Sequence, residues 1–216
     1  MIQTAYARPL IYSREDLGIA VPGGFQEDGS YLPNEEFMHR AIEEAKRAVT
    51  LGQHPVGAVV TTTELVENIW DYEIADGRVA FKSLELEFGL AAAHNQTDLD
   101  SMGHAEVLAL RQGELTAGGR DRLKLARSVL YTTHVPCPMC AGAIANSKVS
   151  GIVYGTDIRH AETLAEQGVR WRSNAVSARA IITGVRQDGR APQFIIGGFM
   201  EDECWDVLQL AQTLKA

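Results

Sequence analysis

The stretch THVPCPMCAG, residues 133–142, holds two of the chain's three cysteines, Cys137 and Cys140, with Pro136 and Pro138 flanking the first. Two thiols at that spacing can form a disulfide, act as a redox pair, supply half of a metal site or be buried as small side chains. At the start of a helix, positions i and i+3 share one face of the first turn. Unpaired N–H groups and the helix dipole there stabilise thiolates. A proline in that turn loses no hydrogen bond. The pair is therefore pre-aimed and its negative charge is favoured, which fits a metal site and a redox motif alike.

A redox pair needs no further ligand. A zinc site needs at least a third, and a catalytic one keeps its fourth position for water. The donor on offer is His104 in GHAEV, residues 103–107, with Glu106 two residues later. His104 and Cys137 each open an expected helix, with one strand between them. In that layout two helix N-termini can face each other at one end of a sheet. Glu106 is not placed to share the metal in the same way, and it can take a proton from the water instead. His-x-Glu followed by Pro-Cys-x-x-Cys is the zinc deaminase signature.

The elements that must position these groups can be read from periodicity. Residues 1–33 are rich in Gly and Pro and read as an N-terminal arm with little regular structure. Asn34 is a candidate N-cap, followed by a helix that closes at Gly52. PVGAVVTTT, residues 55–63, is a β-branched run and reads as a central strand. Beyond it, ADGR suggests a hairpin turn and LELEF a strand at 84–88. The order then runs helix (GHAEVLALRQGEL), strand (SVLYTTH), helix (CPMCAGAIANSK) and strand (VSGIVYGT), a parallel βαβ crossover. AETLAEQG reads as a further helix, SARAIITG as a strand and EDECWDVLQLAQTLKA as a C-terminal helix with Cys204 buried in its packing. The sum is an α/β fold, a three-layer α/β/α sandwich with a mixed central sheet.

At 216 residues, 45% hydrophobic and 22% charged, the chain suits one globular domain with extensions. The reading is an arm at 1–33 and a single domain at 34–216. No run of about 18 apolar residues suggests a membrane span, and charges at Arg8, Arg14, Glu15 and Asp16 interrupt any signal-like core. A cytoplasmic location is expected. The net charge of -8 argues against a large phosphate-binding surface, which would need many cations. Residues 118–127 form the one dense basic run, read as a solvated connection.

PVGAVV, the HN pair at His94–Asn95, HAEVLAL and VLYTTHVPCPMCAGAI together resemble the cytidine deaminase superfamily. The branch they look most like contains guanine deaminase, cytosine deaminase and tRNA adenosine deaminase. The resemblance runs in order over residues 34–157. It implies that His104, Cys137 and Cys140 bind Zn²⁺ and that Glu106 shuttles protons. It implies a hydrolytic reaction in which hydroxide attacks the amine-bearing ring carbon, a tetrahedral intermediate forms and ammonia leaves. Asn95, the N–H of Ala105 and the C=O of Pro136 would contact the substrate. A homodimer is also implied.

Other groups are weaker candidates. His54 stands where it could reach a pocket mouth, and Trp171 and Phe199 are candidates to stack on a base. His39 reads as a helix-surface residue, His94 as packed or surface, and His134 and His160 as structural.

The sequence departs from the family pattern in two ways. An insertion lies near 61–88, and the chain is extended at both ends, by residues 1–33 and by a C-terminal region from about residue 158. Both extensions could cover the mouth, which favours a small substrate. The segment before His104 also lacks the Asp-Pro-Thr of many relatives. The expected function is zinc-dependent removal of an exocyclic amine from a free nucleobase or nucleoside. The alternatives are a tRNA adenosine-to-inosine deaminase and, from another class, an inactive zinc scaffold or a thiol oxidoreductase.

Overall fold

The computed structural model of the protein describes residues 24–25, 30–75, 78–116, 125, 128–157, 176–184 and 192–213. For 24–25, 63–75, 78–88 and 212–213 it describes the backbone alone. In chain order the elements are β1 (Gly24–Phe25), β2 (Tyr31–Leu32), α1 (Glu35–Thr50), β3 (Gly57–Ala75), β4 (Arg78–His94), α2 (Ala105–Thr116), β5 (Val129–His134), α3 (Pro138–Ser147), β6 (Gly151–Thr156), α4 (Ala178–Gly184), β7 (Phe194–Gly197) and α5 (Glu201–Thr213).

The central sheet has the order β4-β3-β5-β6-β7. β3 pairs antiparallel with β4 and β5, while β5–β6 and β6–β7 are parallel, so the sheet is mixed as expected. β5 is buried along its whole length. Alternation sends its side chains to two different cores. Val129 and Tyr131 pack with Phe37, Met38 and Ala41 of α1 and Cys204 and Val207 of α5. Leu130 packs with Ala105 and Ala109 of α2, Ile144 of α3 and Ile182 of α4. Helices thus cover both faces.

Asn34 caps α1, its side chain accepting from the N–H of Glu36 at 2.9 Å. The arm ends in a two-residue strand pair, β1 with β2, which the sequence did not suggest. Tyr31 of that pair stacks on Phe194 and hydrogen-bonds the Tyr131 hydroxyl, so this end of the arm is fastened to the core.

One expectation needs correction. SARAIITG is a helix over Ala178–Gly184, not a strand. Ser177 Oγ accepts the N–H of Ala180, and Ala178 and Ile182, four apart, are the buried residues, so one helical face outweighs the β-branched pair. FIIG at 194–197 is an edge strand that the sequence reading passed over. The insertion extends the β3–β4 pair. β3 starts at the site end, with Gly57 opposite His94, and runs antiparallel to β5. By Val60 it is opposite Leu130, near the start of β5, and beyond that it pairs with β4 alone. Thr61 Oγ1 marks the exit, bonding both the N–H and the C=O of Val129. The ribbon therefore leaves from the end of the sheet opposite the cysteines. Its strands pair up to Ala75 opposite Arg78, consistent with the expected turn.

The C-terminal helix α5 lies beside α1, on the face away from α2 and α3. Phe199 packs into that same core, which removes it as a base-stacking candidate. The helix expected at 161–168, His160, Trp171 and most of the basic run at 118–127 lie outside the described residues.

Candidate metal centre and active site

Two helix N-termini build the site. Cys137 is the N-cap of α3, in extended conformation with Pro138 directly after it, and its carbonyl accepts from Ala141 at 2.8 Å. The His104 carbonyl accepts from Leu108 at 3.0 Å, so His104 stands at the corresponding position of α2. The α2 and α3 helices pack on the same face of the sheet. This brings His104, Cys137 and Cys140 together.

The sulfur atoms are 3.4 Å apart, and His104 Nδ1 lies 3.6 Å from Cys137 Sγ and 3.5 Å from Cys140 Sγ. Zn–S bonds of about 2.3 Å and a Zn–N bond of about 2.1 Å at tetrahedral angles would place sulfurs about 3.8 Å apart and sulfur from nitrogen about 3.6 Å. The three donors meet that requirement within a few tenths of an ångström. The sulfurs are much too far apart for a disulfide, whose S–S bond is about 2.05 Å, and all three cysteines are free thiols. The donor set, its spacing and its position under two helix N-termini fit a zinc ion.

The two thiols differ in how readily they ionise. Cys137 is brought down to about 4, first by its hydrogen bond with Cys140, against the opposing effect of burial. Cys140 is pushed up by that same bond and by burial. Of the two sulfurs, Cys137 is thus the one that carries negative charge more readily.

Glu106 follows in the first turn of α2 and is buried. Burial is the main cause that raises its carboxyl to about 7, opposed first by a backbone hydrogen bond and less by His104 and Cys140. Its Oε2 is buried with no hydrogen-bond partner among the described residues. A carboxyl balanced near neutral pH, with one free oxygen beside three metal donors, is suited to accept and return a proton.

Asn95 and Ala105, expected as separate substrate contacts, bond to each other: Asn95 Oδ1 accepts the Ala105 N–H at 3.2 Å. Asn95 is held by its own N–H to the Val56 carbonyl at 3.1 Å. Pro136 is buried directly before Cys137. His94 Nδ1 lies 2.6 Å from Glu44 Oε2, fastening β4 to α1. His134 is buried with Nδ1 3.1 Å from Thr133 Oγ1, and the exposed His54 is near enough to help lower its pKa. His39 is exposed.

Sequence reasoning missed two contacts here. Thr133 Oγ1 accepts the Gly57 N–H at 3.2 Å, where the β3–β5 ladder stops. Gln53 bonds Asp98 across 45 positions of sequence. Neither spacing carries a local signal.

Residues 33–156 match the model of the cytidine and deoxycytidylate deaminase zinc-binding region. The chain belongs to that family. Among curated members it is 33% identical over 124 residues to the tRNA-specific adenosine deaminase of Bacillus subtilis, covering 56% of this chain and 61% of that one. It is 25% identical over 167 residues to a probable cytosine deaminase of Schizosaccharomyces pombe, covering 77% of this chain and 85% of that one. The chain therefore matches less than two thirds of the Bacillus subtilis deaminase's length. Among solved structures, the guanine deaminase of Nitrosomonas europaea aligns with a TM-score of 0.56 at 18% identity, covering 84% of this chain and 85% of that one. That likeness is one of fold. These three deaminases are named for three different substrates. No helix among the described residues is long and apolar enough to cross a membrane.

Proposed function

We propose that the protein is a zinc-dependent hydrolytic deaminase that removes an exocyclic amine from a free nucleobase or nucleoside and releases ammonia. His104 through Nδ1, Cys137 and Cys140 would hold the metal. The observation that carries this reading is the buried Glu106 carboxyl beside those donors, with Oε2 unpartnered among the described residues.

Bound zinc supplies Lewis acidity that makes a water nucleophilic at neutral pH. Glu106 Oε2 takes the proton that water gives up and later delivers it to the amine nitrogen, which departs as ammonia. Asn95 keeps its Oδ1 on Ala105, and its Nδ2 would donate to an acceptor on the ring. The Pro136 carbonyl would accept from the substrate's N–H edge. Such pairing matters in a closed site, since an unmet buried polar group costs about 1–3 kcal/mol.

The small-substrate reading rests on the rim. Segments 51–56, 95–104 and 133–140 contain no Lys or Arg, and they carry Asp98 and Asp100. Phosphodiester recognition needs cations or other donors facing the backbone. The 33% identity to a tRNA-specific deaminase favours the second reading, a tRNA adenosine deaminase. That reading would draw its cations from residues outside the described set, such as Arg120, Arg122, Lys124 and Arg127. The retained Glu106 argues against an inactive scaffold. Two thiols both within 3.6 Å of a histidine nitrogen argue against a thiol oxidoreductase. A cytoplasmic homodimer, with residues 34–216 as one domain, completes the proposal.

Ammonia release by the zinc-loaded protein tests it, with cytosine, guanine, adenine, their nucleosides and an anticodon stem-loop as the panel. Release from a base or nucleoside supports the proposal. Release from the RNA alone replaces it with the second reading. No release from any of them overturns both.

A further inference from the structure

The segment between Asn95 and His104 is a closed loop. Gln96 N–H donates to the Gly103 carbonyl at 2.8 Å, and the N–H groups of Leu99 and Asp100 return to the Gln96 carbonyl at 3.1 and 3.2 Å. Asp100 Oδ1 accepts from Met102 at 2.9 Å, and the Asp100 carbonyl accepts from Gly103 at 2.7 Å. Gly103 has no room for a side chain: a Cβ would lie 2.9 Å from the Asp100 carbonyl oxygen. The loop thus holds its own shape as a unit. It buries little, for Leu99 is 87% and Met102 57% exposed. Packing therefore does not hold it against the body of the protein.

One pair does. Gln53 Nε2 donates to Asp98 Oδ2 at 2.6 Å, and the Asp98 N–H donates back to Gln53 Oε1 at 3.3 Å. Among the described residues these are the hydrogen bonds that join loop 96–103 to the turn between α1 and β3. Gln53 is itself fixed, its N–H bonded to the Ala48 carbonyl at 2.8 Å. The two-point, charge-assisted geometry gives the pair more strength than an ordinary surface contact. The loop's two ends are Asn95, which holds the first N–H of α2, and His104, which faces both thiols.

We infer that Gln53 and Asp98 are a positioning pair that holds loop 96–103 so that His104 and Asn95 stay aligned with the cysteines. Glu106 is anchored separately, on a helix whose Ala105, Ala109 and Leu110 are buried in the core. Breaking the pair should therefore loosen metal and substrate while leaving the proton-transfer step largely intact. The inference rests on the metal-site reading of His104, Cys137 and Cys140.

The test uses the full chain loaded with zinc and two readouts: the rate of zinc transfer to a chromophoric chelator, and KM and kcat for the active member of the substrate panel. Gln53→Glu sets two carboxylates against each other. It should speed zinc loss and raise KM, each about tenfold, with kcat within about twofold of the parent. Gln53→Glu/Asp98→Asn reverses the side-chain bond, the new amide at 98 donating to the new carboxylate at 53, while the backbone N–H of residue 98 keeps its acceptor there; it should bring both values back to within about twofold of the parent. A single variant that releases zinc at the parent rate overturns the inference. So does a double variant that stays as fast as the single one. If the zinc rates follow the expected pattern while nothing in the panel is deaminated, the pair stands and the functional reading falls.

Discussion

Asn95 Oδ1 accepts the backbone N–H of Ala105 at 3.2 Å, both groups buried in the protein. The first N–H groups of a helix have no partner within it. This one is met by a side chain from the end of the preceding strand, so a single residue both closes α2 and borders the metal centre. Asn95→Ala leaves that N–H unmet and should cost about 1–3 kcal/mol in urea unfolding of the metal-free protein. Asn95→Asp keeps the accepting oxygen and removes the Nδ2 donor. It should retain zinc and raise KM about tenfold or more. An unchanged KM in Asn95→Asp would remove Asn95 from substrate binding and leave it a cap.

Glu106→Gln keeps the shape of the side chain and removes its proton chemistry. Ammonia release should fall about 10²- to 10⁴-fold, the usual contribution of a positioned acid–base group. Zinc content by elemental analysis should stay at the parent level, because Glu106 is not one of the three clustered donors. Activity that survives the substitution would exclude Glu106 as the proton carrier.

Zinc removal separates hydrolysis from thiol chemistry. Dialysis against a strong chelator should abolish ammonia release, and added Zn²⁺ should restore it. Cys137→Ala should prevent that restoration, since a site left with two protein donors binds zinc far more weakly. Ammonia release that persists in the chelated protein and disappears on alkylation of Cys137 would instead make the thiol, not a metal-bound water, the nucleophile.

Local spacing made the metal centre legible. His104 and Glu106 are two apart, Cys137 and Cys140 three apart, and each pair opens a helix whose first turn fixes its direction. The strands around them were legible because β5 and β6 are short β-branched runs between turn residues. What escaped depended on tertiary choice. ARAII reads as β-branched, yet Ser177 caps it and its buried face has helical period, so α4 forms. FIIG is too short to carry a pattern of its own, and it becomes a strand by parallel pairing with β6. The course of the insertion depended on which end of β5 the strand β3 had started from, and no local sequence records that. The Gln53–Asp98 pair lies beyond pattern reading altogether, since nothing in either segment names the other as its partner.

His134 should make the fold sensitive to acid. Burial is the first cause that lowers its pKa from 6.5 to about 3, and His54 adds to it, while a backbone hydrogen bond to Thr133 opposes both. The unfolded chain binds a proton at this site below about pH 6.5, while the folded chain refuses it until about pH 3. Between those values the unfolded state holds more protons, so stability is fully present above pH 6.5 and declines as the pH falls. From pH 6.5 to pH 5 the loss from this one group amounts to about 2 kcal/mol. His134→Leu removes the titration. Urea unfolding of the metal-free parent and variant at pH 7.5 and pH 5 should show the parent losing about 2 kcal/mol more than the variant over that interval. Equal losses in the two proteins would mean that His134 takes up its proton in the folded state at an ordinary pKa, and that the end of β5 beside the cysteines is open to water.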